Sequence, residues 1–157
     1  MKKILFICLG NICRSPMAEF VCKDMLKKRG LEDLCYVESA ATSYEEQGNP
    51  VHPGTRRVLS ENGISCKGKT ARRMTAQDYQ RFDCLIGMDG GNIRSIRSIC
   101  GGDPEGKIVK LLELCGDASD VADPWYTGDF DATWRDVNRG VSALLDKLFP
   151  HTGKQKG

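Results

Sequence analysis

Apolar residues in this chain fall into two alternating kinds of segment. Some are short unbroken runs; others return every third or fourth position. Residues 3–9, built on Ile4-Leu5-Phe6-Ile7, read as a buried strand. Residues 16–29 set Met17, Phe20, Val21, Met25 and Leu26 along one side of a helix, with Ser15 as its N-cap, Pro16 in its first turn and Gly30 as its stop. A second strand is expected over 36–39, and a short helix over 53–62 closed by Gly63. Thr75 and Asp78 read as a capping pair for another short helix. Cys84-Leu-Ile-Gly-Met88 reads as a third strand, 92–99 as a helix and 107–112 as a fourth strand. The last helix has the clearest period: Trp134, Val137, Val141, Leu144, Leu145 and Leu148 make one broad apolar face, whose plainest role is packing on a sheet.

Strands alternating with helices predict an α/β fold in three layers: a four-stranded, parallel, twisted sheet with helices on both faces. Ligands in such folds bind beyond the carboxyl ends of the strands. The length of 157 residues suggests one domain over 1–150, followed by a frayed tail over 151–157. No apolar run approaches the roughly 20 residues needed to cross a bilayer. The opening Met1-Lys2-Lys3 and its apolar run faintly suggest a signal peptide, but Gly10-Asn11 and Arg14 interrupt the pattern. A buried first strand, a cytoplasmic location and no membrane insertion are therefore expected. The net charge of +2 gives no reason to expect nucleic acid, and the basic run Lys67-Gly-Lys-Thr-Ala-Arg-Arg73 lacks interleaved aromatics, so it reads as a solvated loop.

Eight cysteines stand at 8, 13, 22, 35, 66, 84, 100 and 115, with no CxxC among them and only two histidines in the chain. A core-rich chain of this length needs no disulfide scaffold, and zinc-ligand spacing is absent. Six of the thiols are best read as small core hydrophobes or surface bystanders. Cys8 and Cys13 differ, because both lie in Cys8-Leu-Gly-Asn-Ile-Cys-Arg-Ser15, between the first strand and the first helix.

That segment has the makings of an anion cradle with a sulfur nucleophile at its base. A loop turning into a helix aims the backbone N–H groups of Leu9, Gly10, Asn11, Ile12, Cys13, Arg14 and Ser15 inward, and the helix start adds positive potential. Gly10 removes a side chain where the loop turns, and Asn11 tolerates a left-handed backbone. Arg14 can grip two phosphate oxygens with its planar fork. A free thiol ionises near pH 8.5, but helix starts and arginines lower that to roughly 3.5–7.5, so Cys8 is expected to be largely thiolate at neutral pH. Such a sulfur can attack phosphorus and form a cysteinyl-phosphate, with Ser15 placed to hydrogen-bond it as it leaves again. The guanidinium and the loop amides can neutralise a phosphate, so neither metal nor cofactor is called for. The plain alternative for Cys8 is a strand cysteine without a task.

Loss of an alkyl or aryl oxide needs a proton donor. Asp123, in Val121-Ala-Asp-Pro-Trp-Tyr126, lies beyond the fourth strand on the expected rim and could serve as acid and then as base. A simple Asp-Pro turn explains the same residues, and Asp89, Asp117, Asp120 and Asp129 are rivals.

At this point the chain resembles the low-molecular-weight protein tyrosine phosphatases. The resemblance rests on Cys8-Leu-Gly-Asn-Ile-Cys-Arg-Ser-Pro-Met-Ala-Glu19, Glu38-Ser-Ala-Ala41, Gly87-Met-Asp89 and Asp123-Pro-Trp-Tyr126, spaced along nearly the whole length. It implies a phosphotyrosine phosphatase I-like fold, with Cys8 as nucleophile, Arg14 as phosphate clamp and Asp123 as general acid. It further implies a hydrogen-bond network of Asn11, Ser15 and Ser39, and an aromatic wall made by Trp125 and Tyr126. The substrates implied are phosphotyrosine-containing proteins, with inorganic phosphate as product. Cys13, beside Cys8 in the loop, reads as a resolving thiol that captures an oxidised Cys8.

The chain departs from the pattern in two places. Lys69 and Thr70 stand where some members carry a histidine that braces Asn11 indirectly. The stretch Thr42-Ser-Tyr-Glu-Glu-Gln-Gly48 lacks the tryptophan that often forms the other wall; Tyr44 is a candidate replacement, and Glu45 and Glu46 would disfavour acidic flanking sequence. An arsenate reductase on this scaffold would need two further cysteines a few residues apart, which Cys84 and Cys100 are not. A protein-arginine phosphatase is nearer, but that branch tends to carry threonine at the position of Ile12. A phosphate-carrying module would have little use for a leaving-group acid. His52 is assigned no task.

Overall fold

The structure, a computed structural model, describes residues 1–150. The expected tail over 151–157 lies outside the described residues. Four strands form one sheet: β1 (Lys2–Cys8), β2 (Cys35–Ala41), β3 (Cys84–Gly87) and β4 (Ile108–Lys110), in the order β2-β1-β3-β4. Every pairing is parallel, and the β1–β2 register runs from Lys2 opposite Cys35 to Cys8 opposite Ala41. β1 is an inner strand, which explains its unbroken apolar run: Ile4, Leu5, Phe6 and Ile7 are all buried because both faces of the sheet are covered.

Six helices surround it: α1 (Arg14–Lys28), α2 (Pro53–Glu61), α3 (Asp78–Arg81), α4 (Gly90–Cys100), α5 (Pro124–Thr127) and α6 (Phe130–Leu148). Ile4 and Phe6 pack with Met17 and Val21 of α1 and with Val137, Val141 and Leu144 of α6. Leu5 and Ile7 pack on the opposite face with Phe82 and with Ile96 of α4. The α6 stripe is where its period put it, with Trp134 and Leu148 only partly buried at its margin. Gly140 lets α6 come down on the turn that follows β4, since a Cβ there would lie 2.5 Å from Leu111 Cγ.

Three local expectations change. α1 begins at Arg14, with Cys13 in the capping position, so Ser15 is no N-cap and its hydroxyl is free for other partners. Pro16 fits because a first-turn N–H has no helical acceptor to lose. The fourth strand stops at Lys110; Leu111 and Leu112 are buried within a 3-10 turn over Leu111–Cys115 rather than in the sheet. Asp78 does accept the Thr75 N–H at 2.9 Å, but the one-turn α3 starts at Asp78 with Gln77 in its N-cap position, so the pair does not cap it.

Because all strands run the same way, Cys8, the Gly87–Asp89 turn and the segment leading from β4 to Asp123 emerge on one rim of the sheet. No helix among the described residues is long and apolar enough to cross a membrane.

Candidate active site

Cys8 ends β1, and the chain then wraps around its sulfur before entering α1. The Asn11 N–H reaches Cys8 Sγ at 3.3 Å and the Ser15 N–H at 3.4 Å, while the Ser15 hydroxyl lies 3.0 Å away. Asn11 carries the loop's left-handed turn, at φ 59°. Gly10 does not. Its lack of a side chain serves another purpose, because a Cβ there would sit 3.2 Å from Glu46 Cγ on the loop over residues 42–52.

Asn11 is the hub of the polar layer beneath. Its amide donates to Ser15 Oγ (2.8 Å) and Ser39 Oγ (3.0 Å), and its Oδ1 accepts the Arg72 N–H (3.1 Å). Ser39 in turn donates to buried Glu19 at 2.5 Å. Lys69 closes the chain by donating to the Ser39 carbonyl at 2.9 Å and lying 3.5 Å from Glu19. Burial pushes the Lys69 ammonium below its ordinary pKa, with Glu19 opposing that shift. The departure at Lys69 therefore does not undo the bracing of Asn11. Glu19 was not singled out by sequence reasoning, although Ser15 and Glu19 are one helical turn apart on α1 and so share a face.

Arg14 is buried under the pocket floor. Its Nη1 donates to Asp89 (2.8 Å) and to the Val121 carbonyl (2.9 Å), and its Nη2 approaches Asp123 at 3.4 Å. Burial works against this charge, but Cys8, the bond to Asp89 and the charge of Asp123 outweigh it and raise the Arg14 pKa. Asp89, a rival acid on sequence grounds, is instead engaged twice: with Arg14, and as the N-cap of α4, accepting the Asn92 N–H at 2.7 Å. Asp123 caps α5 by accepting the Trp125 N–H at 3.0 Å.

A pocket of about 170 Å³ opens above the sulfur, lined by the cradle residues Cys8, Leu9, Gly10, Ile12, Cys13 and Arg14 together with Glu45, Glu46, Asp123, Trp125 and Tyr126. Trp125 and Tyr126 are 58% and 79% exposed, so neither is spent on the core. Tyr44 does not line the pocket; it stacks on Arg73 instead, 4.8 Å from the guanidinium carbon. His52 does have contacts here. Its N–H holds the Ile12 carbonyl at 2.8 Å, and its ring packs against Trp125 and Phe130. Cys13 is buried beside the sulfur, and its thiol is pushed up to about 12 by burial, then by the charges of Cys8 and Asp123. All eight cysteines are unpaired. Among the described residues, no cluster of three or more His, Cys, Asp or Glu is arranged to hold a metal ion.

A parallel α/β sheet with a thiol at the mouth of a strand–loop–helix anion cradle, and an arginine beneath it, defines a class of cysteine-dependent phosphatases. The model of the low molecular weight phosphotyrosine protein phosphatase family matches residues 3–155, and the chain belongs to that family. It is 43% identical over 150 residues to the low molecular weight protein-tyrosine-phosphatase YfkJ of Bacillus subtilis, an alignment covering 94% of this chain and 96% of that protein. The crystal structure of YfkJ superposes with a TM-score of 0.91, covering 100% of this chain and 98% of the other. PtpA of Staphylococcus aureus, also a low molecular weight protein-tyrosine-phosphatase, is 35% identical over the full length of both chains. A Drosophila arginine phosphatase shares the fold more distantly, at 27% identity and a TM-score of 0.85, covering 95% of this chain and 98% of its own.

Proposed function

We propose that the pocket hydrolyses phosphotyrosine on proteins in two steps, with Cys8, Arg14 and Asp123 carrying the chemistry. The observation that supports this most directly is the pair of backbone N–H groups of Asn11 and Ser15 on Cys8 Sγ, with the Ser15 hydroxyl 3.0 Å from the sulfur and Arg14 on the floor of the same pocket. Donors in this position can hydrogen-bond the attacking sulfur and, equally, the oxygens of a phosphate held above it.

In the first step the Cys8 sulfur attacks phosphorus, the bond to the tyrosyl oxygen breaks, and a protonated Asp123 gives its proton to that oxygen. A bound phosphate would engage Arg14 Nη2, the donor that meets Asp123 at only 3.4 Å. In the second step water attacks the cysteinyl-phosphate, Asp123 takes the water's proton, and the sulfur leaves as thiolate toward the Ser15 hydroxyl. Inorganic phosphate departs. Leu9, Gly10, Asn11, Ile12, Cys13 and Ser15 hold the phosphate by loop backbone, Ser39 steadies Asn11, and Trp125 and Tyr126 flank the ring. A slot with its sulfur at the base suits the long phosphotyrosine side chain, whereas phosphoserine would leave its phosphate short of Cys8. Ile12 supports phosphotyrosine over phosphoarginine. Cys13 is the proposed resolving thiol for an oxidised Cys8, and no metal, cofactor or nucleic acid enters the reading.

A chromogenic aryl phosphate tests it. Repeated turnover in the presence of a chelator is expected; a single stoichiometric burst, or dependence on added metal, would remove the proposed mechanism.

A further inference from the structure

The lining of the pocket has an unexpected charge balance for a site that takes a dianion. Among the described residues, Arg14 is its one cation, and the lining holds three carboxylates: Glu45, Glu46 and Asp123. Arg14 and Asp123 are accounted for by each other and by Asp89. Glu45 and Glu46 are not. Glu45 makes no side-chain bond among the described residues, and Glu46 accepts only the Asn49 amide at 2.8 Å. Arg73, which packs on the same loop, is occupied with the carbonyls of Thr42 (3.2 Å) and Met74 (3.1 Å) and with the Tyr44 ring.

The loop that carries these two side chains is held in place. The Thr42 N–H bonds the Cys8 carbonyl at 3.0 Å and the Ser43 N–H bonds the Leu9 carbonyl at 3.1 Å, which ties the loop to the phosphate cradle. Farther along, Gly48 and Asn49 pair with Ala71, and Asn49 also bonds back to Glu46. Gly10 leaves the space that Glu46 occupies. Two carboxylates with no cationic partner among the described residues thus line the same pocket as Trp125 and Tyr126, within a Debye length of a bound phosphate. Left alone, they repel the group the pocket exists to hold. A positive charge beside the phosphotyrosine reverses that sign.

We propose that Glu45 and Glu46 select phosphotyrosine segments that carry a Lys or Arg next to, or one residue removed from, the phosphotyrosine, and reject segments with acidic neighbours there. The inference rests on the phosphotyrosine reading above. The cation lies over Glu45 and Glu46 while the tyrosyl ring lies against Trp125 and Tyr126. Like-charge contact at a rim costs more than a favourable pair gains, so the discrimination is larger between basic and acidic flanks than between basic and neutral ones.

The test uses three phosphotyrosine peptides that differ only in Lys, Gln or Glu beside the phosphotyrosine, plus a phosphoarginine peptide and a small aryl phosphate with no charge besides its phosphate. For the unaltered protein, kcat/KM is expected to fall in the order Lys, Gln, Glu, with the Lys-to-Glu ratio about 5- to 20-fold at low salt and shrinking as salt is raised. In Glu45→Gln/Glu46→Gln the ratio falls to about twofold or less. Glu45→Gln alone, at an exposed side chain with no bonds to lose, lowers it part of the way, and the salt series on the unaltered protein needs no variant. A ratio near one with the aryl phosphate turned over, or a ratio unchanged in both variants, overturns the inference alone. Faster turnover of the phosphoarginine peptide also overturns it, because the carboxylates would then serve the leaving group. Failure to turn over the aryl phosphate at all overturns the underlying phosphatase reading as well.

Discussion

The Arg14 guanidinium lies 2.8 Å from the Asp89 carboxylate, and Asp89 is at the same time the N-cap of α4. A helix cap thereby aims the cation on the pocket floor: Nη1 is committed to Asp89 and Val121, leaving Nη2 toward the pocket. The two duties can be separated. Asparagine caps helices as well as aspartate does, so Asp89→Asn keeps α4 but removes the charge. Hydrogen bonds to charged groups are worth about 1.5–3 kcal/mol. We expect Asp89→Asn to lower kcat/KM for an aryl phosphate by about tenfold with little change in thermal stability. Asp89→Ala should lose more activity and also about 1 kcal/mol of stability through the missing cap. Steady-state kinetics beside thermal melts distinguish the two.

Asp123 is placed to protonate a leaving group, and the need for that proton depends on the ester. Asp123→Ala should slow phenyl-type phosphates with poor leaving groups by about 10²–10⁴-fold, and strongly activated ones far less. The measurement is the slope of log kcat/KM against leaving-group pKa, which reports the first step and should steepen in the variant. Parallel losses across the series would remove Asp123 from the acid role.

Glu19 and Lys69 form a buried pair behind the cradle, with side chains only 5% and 13% exposed. Removing one partner strands the other's charge, at about 3–5 kcal/mol. Glu19→Ala should therefore show that scale of destabilisation in urea. Lys69→Met should cost less, because Glu19 keeps Lys23 at 2.6 Å, where solvent reaches the ammonium.

Buried thiols give the stability curve an alkaline limb. The Cys13 thiol is raised from the ordinary 9.0 to about 12, and Cys35 from 9.0 to about 11, in both cases chiefly by burial. A raised folded-state pKa means that the protonated form belongs to the folded protein. The contribution is complete below pH 9, where the unfolded thiols are also protonated, and it is lost as pH climbs from 9 through 11–12. Melting temperature should begin to fall above pH 9, and Cys35→Val should make that fall shallower. In alkylation at pH 7.5, Cys13 should stay unmodified.

Much of this was legible in the sequence. The apolar run of β1 and the 3.6-residue stripe of α6 announced an inner strand and a covering helix, because burial on two faces or one leaves distinct periods. Cys8, Arg14 and Ser15 could be placed at one cradle because strand, loop and helix are contiguous there. The contacts that come from far along the chain could not. Asp89 to Arg14, Glu19 to Lys69, and Glu46 over Gly10 depend on loop paths that no local period encodes. Tyr44 was offered as a pocket wall because it is aromatic, but Arg73 offers its ring a cation outside the pocket. Leu111 and Leu112 looked like strand because burial alone does not distinguish a strand end from a tight turn.

The central claim is that phosphorus passes through a covalent bond to Cys8. Intact-mass spectrometry of enzyme quenched within milliseconds of mixing with an aryl phosphate tests it directly, best in Asp123→Ala, where the second step is slowed. The account predicts one added phosphoryl group, located on the peptide containing Cys8 and absent in Cys8→Ser. Turnover that continues with no phosphoryl group ever found on Cys8 would contradict it.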